Sequence, residues 1–169
     1  FTSEGEVCLT VEKIAGDEGI SGSSLIELKT AALLHDVGFT VDHREHEKRS
    51  CEIARNILQN YNYEEDQINA ICKMIMATKL PQSPKDQLSK ILCDADLYYL
   101  GGVDYDKYGE RLFEEFMANK IIHSREEWIV LQVDFLKSHK YFTRSARKAN
   151  NKQKKKKLDE LQKKAKSLN

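Results

Sequence analysis

The stretch Ala31-Ala-Leu-Leu-His-Asp-Val-Gly38 ends an otherwise apolar, helix-forming segment with an imidazole and a carboxylate side by side. Burying either group in a protein interior is costly unless an opposite charge or a metal ion compensates for the lost hydration. We therefore interpret His35 and Asp36 as a pair that binds a cation. The simpler alternative is that the two side chains cap the helix and pair with each other.

The composition favours helices over strands. The 169 residues include only eight Gly and two Pro, and no segment alternates apolar and polar residues as a half-buried strand does. The length suits one ordinary domain with its own hydrophobic core. We therefore predict an all-α protein built as a single compact helical bundle.

Apolar residues at spacings of three and four predict seven helices before residue 144. Ser24 and Glu27 have the spacing of a capping box and predict the start of the second helix, which would end near Gly38. Pro84 fits the first turn of the fifth helix, and the capping-box spacing of Ser124 and Glu127 predicts the start of the seventh. The residues that mark the apolar sides of the first five helices are Val7, Val11, Ile14, Leu25, Leu28, Ala31, Ala32, Ile53, Ala54, Ile57, Leu58, Ile68, Ile71, Ile75, Ile91 and Leu92.

Charge divides the chain into an acidic part and a basic part, although the formal net charge is zero. Residues 144–169 contain 11 Lys and Arg against 2 Asp and Glu, whereas residues 1–143 contain 16 against 25. The basic segment keeps leucines at loose helical spacing. We predict a helical domain over residues 1–143, followed by an extended basic helix or tail over residues 144–169.

Several features bear on where the protein acts. No apolar run is long enough to span a bilayer, and no signal-peptide pattern opens the chain. The four cysteines stand singly, without the spacing of a zinc site or a disulfide framework, so we expect free thiols. These features predict a cytoplasmic protein with no membrane partner. Because the first residue is Phe1, we expect the reading frame to begin upstream.

Two further segments place polar residues at or within predicted helices. Residues 46–50 read His-Glu-Lys-Arg-Ser and open the third helix, and residues 90–97 read Lys-Ile-Leu-Cys-Asp-Ala-Asp-Leu in the fifth. Together with residues 33–38, these segments resemble the HD-domain superfamily of metal-dependent phosphohydrolases. The resemblance extends over residues 7–101 and implies an HD-domain-like helical bundle.

The resemblance also implies a ligand set. In that family a metal is held by an upstream His, by an adjacent His-Asp pair and by a later Asp in an apolar helix. His35 and Asp36 match the pair, and Asp96 matches the later Asp. Asp94 stands two residues earlier on the same helix and therefore points to another side, where we expect it either to support a metal ligand or to face the substrate. Imidazole and carboxylate ligands suit a divalent Mn, Fe, Co, Ni or Mg ion.

Other residues receive roles in catalysis and substrate binding. Asp36, His46 and Lys79 are the predicted catalytic residues, and Lys48 and Arg49 the predicted phosphate partners. A helix start attracts phosphate through its free backbone amides, which supports the residues that open the third helix. Residues 76–79 read Met-Ala-Thr-Lys and contain no imidazole, whereas family members with two metals carry more His there. We therefore expect a single metal ion.

The chain departs from the family pattern at the first ligand. The best local match to the upstream His is Ser3, and no His precedes His35. Either the missing ligand lies upstream of Phe1, which we expect, or the site is degenerate. His43 stands in a polar segment and is interpreted as a solvated residue.

These observations lead to three hypotheses about function. The first is a metal-dependent phosphohydrolase that cleaves a small phosphomonoester or phosphodiester, above all a nucleotide, through an activated water. The alternative is a degenerate, non-catalytic HD domain that binds a nucleotide or a partner protein. A third hypothesis is nucleic-acid binding by the basic tail, which however lacks interleaved aromatics or a known motif. Docking within the chain or assembly into a homo-oligomer would account for the tail equally well.

Overall fold

The computed structural model describes residues 4–40 and 45–168, and within those ranges it contains helices and loops but no strand. The predicted all-α class is confirmed. The α-helices of the described residues are α1 (Glu4–Asp17), α2 (Gly22–Leu34), α3 (His46–Leu58), α4 (Glu65–Ala77), α5 (Gln87–Asp96), α6 (Tyr105–Ala118), α7 (Arg125–Ser138) and α8 (Arg144–Lys166). Short 3₁₀ turns occur at Val37–Thr40, Gln59–Tyr61 and Tyr98–Gly101.

The chain forms two compact units, one ending at Leu97 and the other beginning at Tyr98. The predicted basic segment coincides with α8, which begins at Arg144. The predicted division into domains between residues 143 and 144 stays a prediction. Within the described ranges, none of the helices combines the length and the apolar character that a bilayer crossing requires.

The core of the first unit is built from the apolar sides of α1, α2, α4 and α5. In this unit α1 packs on α2 and α5, and α4 packs on α2, α3 and α5. Burial of these side chains drives the unit to fold. Ile57 of α3 departs from the predicted pattern, because 38 % of its surface is exposed. The largest apolar side chains with almost no exposed surface are Val7, Val11, Ile14, Leu28, Ile68, Ile71, Met74, Ile75, Ile91 and Leu92.

Two predicted helix starts are wrong. Helix α2 begins at Gly22 with Ser21 as its N-cap, so Ser24 lies inside the first turn. Helix α5 begins at Gln87 rather than around Pro84, because the Asp86 carboxylate accepts a hydrogen bond from the backbone N–H of Ser89. A side-chain acceptor at the N-cap satisfies a helix donor that would otherwise be free, and this decides where the helix starts.

Helix α3 lies directly against the 3₁₀ turn that follows α2. A Cβ atom added to Gly38 would come within 2.3 Å of the carbonyl oxygen of His46 and 2.5 Å of the amide nitrogen of Ser50. The Gly38 amide also donates a buried hydrogen bond to the Ser50 hydroxyl, at 2.9 Å. Only glycine fits here, and its absent side chain allows the start of α3 to approach the end of α2.

The second unit contains α6, α7 and α8. Helix α8 packs on α7 and on the 3₁₀ turn at Tyr98–Gly101, which also contacts α6. A Cβ atom on Gly101 would come within 2.4 Å of the Cβ of the buried Asn150, so this turn also needs a glycine. The N-cap of α7 is Ser124, as its capping-box spacing with Glu127 predicts, and its hydroxyl accepts from the Glu127 amide.

The contact at Gly38 leads to a prediction about stability. Gly38→Ala should lower the free energy of unfolding by about 1 to 3 kcal/mol, because backbone atoms of α3 occupy the space of the new methyl group. Gly16→Ala is the matched control, since no atom lies within 4 Å of its Cβ position and it stands in a helix. That control should raise stability by about 0.5 to 1 kcal/mol. Urea unfolding followed by circular dichroism measures the free energy of unfolding of both variants. Equal changes in Gly38→Ala and Gly16→Ala would contradict the close contact at Gly38.

Candidate metal centre

Three side chains of the first unit bring potential metal ligands together. One atom each from His35, Asp36 and Asp96 lies within 4.8 Å of the others. His35 follows the last residue of α2, Asp36 comes next, and Asp96 is the last residue of α5. Two helix ends that are distant in sequence therefore meet at one point, and they contribute one nitrogen and two oxygens.

The end of α2 differs from the sequence prediction and explains how neighbouring residues share a site. The helix ends at Leu34 instead of near Gly38, and a 3₁₀ turn follows at Val37–Thr40. The Asp36 carbonyl accepts from the Phe39 amide, so the chain tightens just after the pair. Side chains of adjacent helical residues point about 100° apart. At this helix end, both are nevertheless oriented towards the carboxylate of Asp96.

The imidazole of His35 is buried and has one fixed orientation. Its side chain is 2 % exposed, and its Nδ1–H donates to the Ala32 carbonyl at 2.8 Å. Because a carbonyl can only accept, Nδ1 carries a proton and Nε2 faces the cluster. Nε2 lies 3.3 Å from Asp36 Oδ2 and 3.5 Å from Asp96 Oδ1, yet it makes no hydrogen bond within the described part of the chain.

Burial and neighbouring charges both alter the proton affinities of the pair. Burial lowers the pKa of His35, but the nearby carboxylates of Asp96 and Asp36 outweigh it and raise that pKa from 6.5 to about 9. Burial raises the pKa of Asp36, and repulsion from Asp96 adds to this effect against the attraction of His35. In metal-free protein at neutral pH, the protonated imidazole is therefore the positive charge that faces the two partly desolvated carboxylates.

His46 joins this cluster through Asp36. Its Nε2 lies 3.3 Å from Asp36 Oδ1 and 3.3 Å from Glu47 Oε1. Glu47 is 5 % exposed, although it stands in the first turn of α3. Sequence reasoning missed Glu47. Its position in the helical repeat could have indicated burial, because Glu47 precedes Ser50, Ala54 and Leu58 at spacings of three and four residues along the buried side of α3.

Gln82 holds the carboxylate of Asp96 from the other side. Its Nε2 donates to the Cys93 carbonyl at 3.0 Å and to Asp96 Oδ2 at 3.4 Å, which leaves Asp96 Oδ1 directed to His35. Sequence reasoning also missed this residue. Gln82 lies in the loop between α4 and α5, and no local pattern distinguishes a loop amide that contacts a helix end 14 residues away.

The other predicted site residues are not drawn into the cluster. Lys48 and Arg49 are exposed on the first turn of α3 and pair with Glu45 and Glu52 at 3.8 and 2.6 Å. Lys79 is exposed just beyond the end of α4, and no ion pair joins it to the cluster among the described residues. Asp94 is fully buried, and both of its predicted roles, support of a metal ligand and contact with substrate, stay predictions.

Two residues of the sequence analysis, Ser3 and His43, lie outside the described residues. The positions expected for the upstream ligand and for a solvated histidine therefore stay predictions.

A divalent cation fits this arrangement. The buried Nε2 of His35 has a lone pair and no hydrogen bond when the imidazole is neutral, and two carboxylate oxygens lie beside it. The side chains of Asp36 and Asp96 are 20 % and 21 % exposed, so solvent reaches the cluster. No cysteine belongs to the cluster among the described residues, which favours an oxygen- and nitrogen-binding ion over thiolate-bound zinc.

The raised pKa of His35 predicts a pH dependence of stability in metal-free protein. A folded-state pKa above the unfolded value means that the protonated imidazole stabilises the fold fully below pH 6.5. This contribution is lost as pH rises through about 9. It amounts to on the order of 3 kcal/mol. Urea unfolding between these pH values, in the presence of a chelator, measures the loss.

Two histidine variants test the assignment of this pH dependence. His35→Gln should remove most of it, whereas His123→Gln, at an exposed position on the second unit, should keep it. The assignment fails if the free energy of unfolding of His35→Gln varies with pH as steeply as that of the unmodified protein.

The contact of Gln82 predicts an effect on metal affinity. Gln82→Ala frees one oxygen of Asp96, and loss of a residue that orients a ligand weakens metal binding about 10-fold. Ser83→Ala changes an exposed neighbour and should leave affinity unchanged. Titration calorimetry with Co²⁺ gives both values. Equal affinities for the two variants would show that Gln82 does not position Asp96.

Comparisons with known proteins identify the family and the fold. A family model of the HD domain matches residues 6–99, which include His35, Asp36, His46 and Asp96. No curated protein matches the sequence. The structure is similar to the crystal structure of a predicted HD superfamily hydrolase from an uncultured Thermotogales bacterium, with a TM-score of 0.61 and 19 % identity. That match covers 98 % of this chain and 79 % of the other, and at this identity it shows the fold alone. Because the family model matches more than half of the residues, this chain belongs to the HD-domain family.

Proposed function

We propose that this chain is a metal-dependent phosphohydrolase that cleaves a phosphomonoester or phosphodiester, with nucleotides as the foremost substrate class. The observation that carries the proposal is the cluster of His35, Asp36 and Asp96, whose donor atoms lie within 4.8 Å around a buried nitrogen without a hydrogen bond. Membership of the HD-domain family supports a hydrolase.

His35, Asp36 and Asp96 would hold a single divalent ion, with Mn, Fe, Co, Ni or Mg as candidates. When bound, such an ion supplies Lewis acidity towards water and towards a phosphoryl oxygen. The protein itself orients the ligand atoms of the metal site. The Ala32 carbonyl fixes the tautomer of His35, and Gln82 directs one oxygen of Asp96 to the cluster. Ligands held in this way need little reorganisation during the reaction.

The first turn of α3 provides the groups that would receive a phosphate. His46 lies at the helix start, 20 % exposed, and its Nε2 is held between the carboxylates of Asp36 and Glu47. Free backbone amides at a helix start favour anions. Asp36 contacts both His35 and His46, so it links the proposed metal ligands to the proposed phosphate contact.

Cationic side chains on the exposed surface would complete the phosphate site. Lys48 and Arg49 pair with exposed carboxylates, and such pairs contribute little to stability and exchange readily. A phosphate group can replace those carboxylates. The guanidinium of Arg49 can bind such a phosphate in a bidentate manner, through two parallel N–H···O hydrogen bonds. Lys79 extends from the end of α4 and is the remaining candidate cation.

Activity should depend on both a divalent ion and Asp36. We expect chelator-treated protein to be inactive towards p-nitrophenyl phosphate, bis-p-nitrophenyl phosphate and a panel of nucleotides, and added Mn²⁺ or Co²⁺ to restore hydrolysis. Asp36→Asn keeps the shape of the side chain but removes its charge. It should lower kcat/KM about 100-fold or more, because the residue serves both the ion and His46.

The matched control is Asp66→Asn, which removes an exposed carboxylate from the first turn of α4. Its activity should equal that of the unmodified protein. Full activity in Asp36→Asn would exclude this site. Nucleotide binding without turnover, in protein that contains little or no metal by elemental analysis, would support the non-catalytic HD domain instead.

A further inference from the structure

Two of the four cysteines contact each other across the interface of α3 and α4. The Cys51 thiol donates to the Cys72 carbonyl at 3.4 Å, and the Cys72 thiol approaches the Cys51 carbonyl at 3.7 Å. The electrostatics of the two thiols are coupled as well, since each shifts the pKa of the other. Each side chain therefore lies over the backbone of the other residue, and this requires the two helices to be in close contact.

The two side chains face each other closely enough to be candidates for a disulfide. A disulfide needs α-carbons about 4.4 to 6.8 Å apart and side chains that point at each other. Reciprocal thiol–carbonyl contacts satisfy the second condition and place the two backbones side by side. Each thiol lies beside the backbone of the other cysteine, so rotation of the two side chains would bring the sulfurs towards each other.

The surroundings also favour reaction at one of the two sulfurs. Interaction with the neighbouring Cys51 thiol lowers the pKa of Cys72 to about 7, against the effect of burial and with help from Arg55. The same interaction, together with burial, raises the pKa of Cys51. A thiolate is the reactive form of cysteine, so Cys72 is the better nucleophile and Cys51 the sulfur that resolves the product.

The other two cysteines lack this arrangement. Cys93 is fully buried in α5, donates to the Ala77 carbonyl at 3.2 Å, and burial raises the pKa of its thiol. Cys8 stands on α1, and no contact joins it to another sulfur among the described residues. The pair is therefore distinguished from both by its mutual contacts.

We propose that Cys51 and Cys72 are a modification site, at which a hydroperoxide forms a reversible intramolecular disulfide between α3 and α4. The Cys72 thiolate attacks the O–O bond, an S–O bond forms, and hydroxide leaves and takes up a proton. Cys51 then loses its proton and attacks the sulfenic sulfur, so that the S–S bond forms, the S–O bond breaks and water leaves. Two thiols are oxidised by two electrons and hydrogen peroxide is reduced to two waters.

The new bond would tie together two helices near the candidate metal centre. Cys51 lies five residues after His46 on α3. The proposal itself concerns only bond formation and does not rest on the proposed phosphohydrolase activity.

Peptide mapping of the oxidised full chain tests the proposal. Reduced, folded protein is treated with hydrogen peroxide, then unfolded and alkylated. The number of free thiols should fall from four to two. Trypsin should then release residues 50–55 linked to residues 56–73, with a mass two hydrogens below the sum of the separate peptides, and dithiothreitol should separate them. Four free thiols, or a link that involves Cys8 or Cys93, would overturn the proposal.

Variants provide matched controls with three cysteines each. Cys8→Ser should still lose two thiols, whereas Cys51→Ser and Cys72→Ser should form no intramolecular disulfide. Circular dichroism establishes that each variant is folded before treatment. Mapping of the unmodified chain needs no variant, so the proposal stays testable even if a serine substitution prevents folding. A disulfide that forms equally well in Cys51→Ser would contradict the assignment.

Discussion

The contact between Gly38 and the first turn of α3 is the constraint on which the site depends. A side chain at residue 38 would collide with backbone atoms of His46 and Ser50, and the buried bond from the Gly38 amide to the Ser50 hydroxyl fixes the direction of approach. Because His46 begins α3, this approach brings its imidazole to 3.3 Å from the Asp36 carboxylate. A bulkier residue would separate the two histidines of the cluster, whatever their own interactions.

The cluster places ionisable groups where an apolar core would be more stable. Asp36 and Asp96 are about one-fifth exposed, and His35 is almost completely buried. Partial desolvation of two neighbouring carboxylates costs free energy that the single imidazole offsets only in part. The apolar faces of α1, α2, α4 and α5 supply the burial that keeps the unit folded in spite of this cost. Such local conflict between stability and side-chain choice is expected at functional sites.

Local sequence patterns predicted a helix end correctly where one helix turn contains the whole capping interaction. They failed where a nearby residue or turn ended or began the helix at another position. The capping spacing of Ser124 and Glu127 correctly predicted the start of α7. Pro84 did not mark the start of α5, because Asp86 accepts from the Ser89 amide and defines a later start. Helix α2 ended early, because the chain enters a 3₁₀ turn before reaching Gly38. The buried residues of α1, α2, α4 and α5 recur at the helical spacing that the sequence predicts.

The sequence by itself determined the all-α class, most of the buried apolar residues, and the presence of an imidazole and a carboxylate side by side at the end of an apolar helix. These properties follow from residue type and from the helical repeat, which act within a few turns of chain. It also indicated that Asp94 and Asp96 must face different sides, and the structure buries Asp94 while placing Asp96 beside His35. Only the tertiary structure decided that His46 contacts Asp36, that Glu47 is buried against His46, and that Gln82 holds Asp96. These contacts join residues from separate helices and a loop, so they depend on how closely the helices pack, which no local pattern encodes.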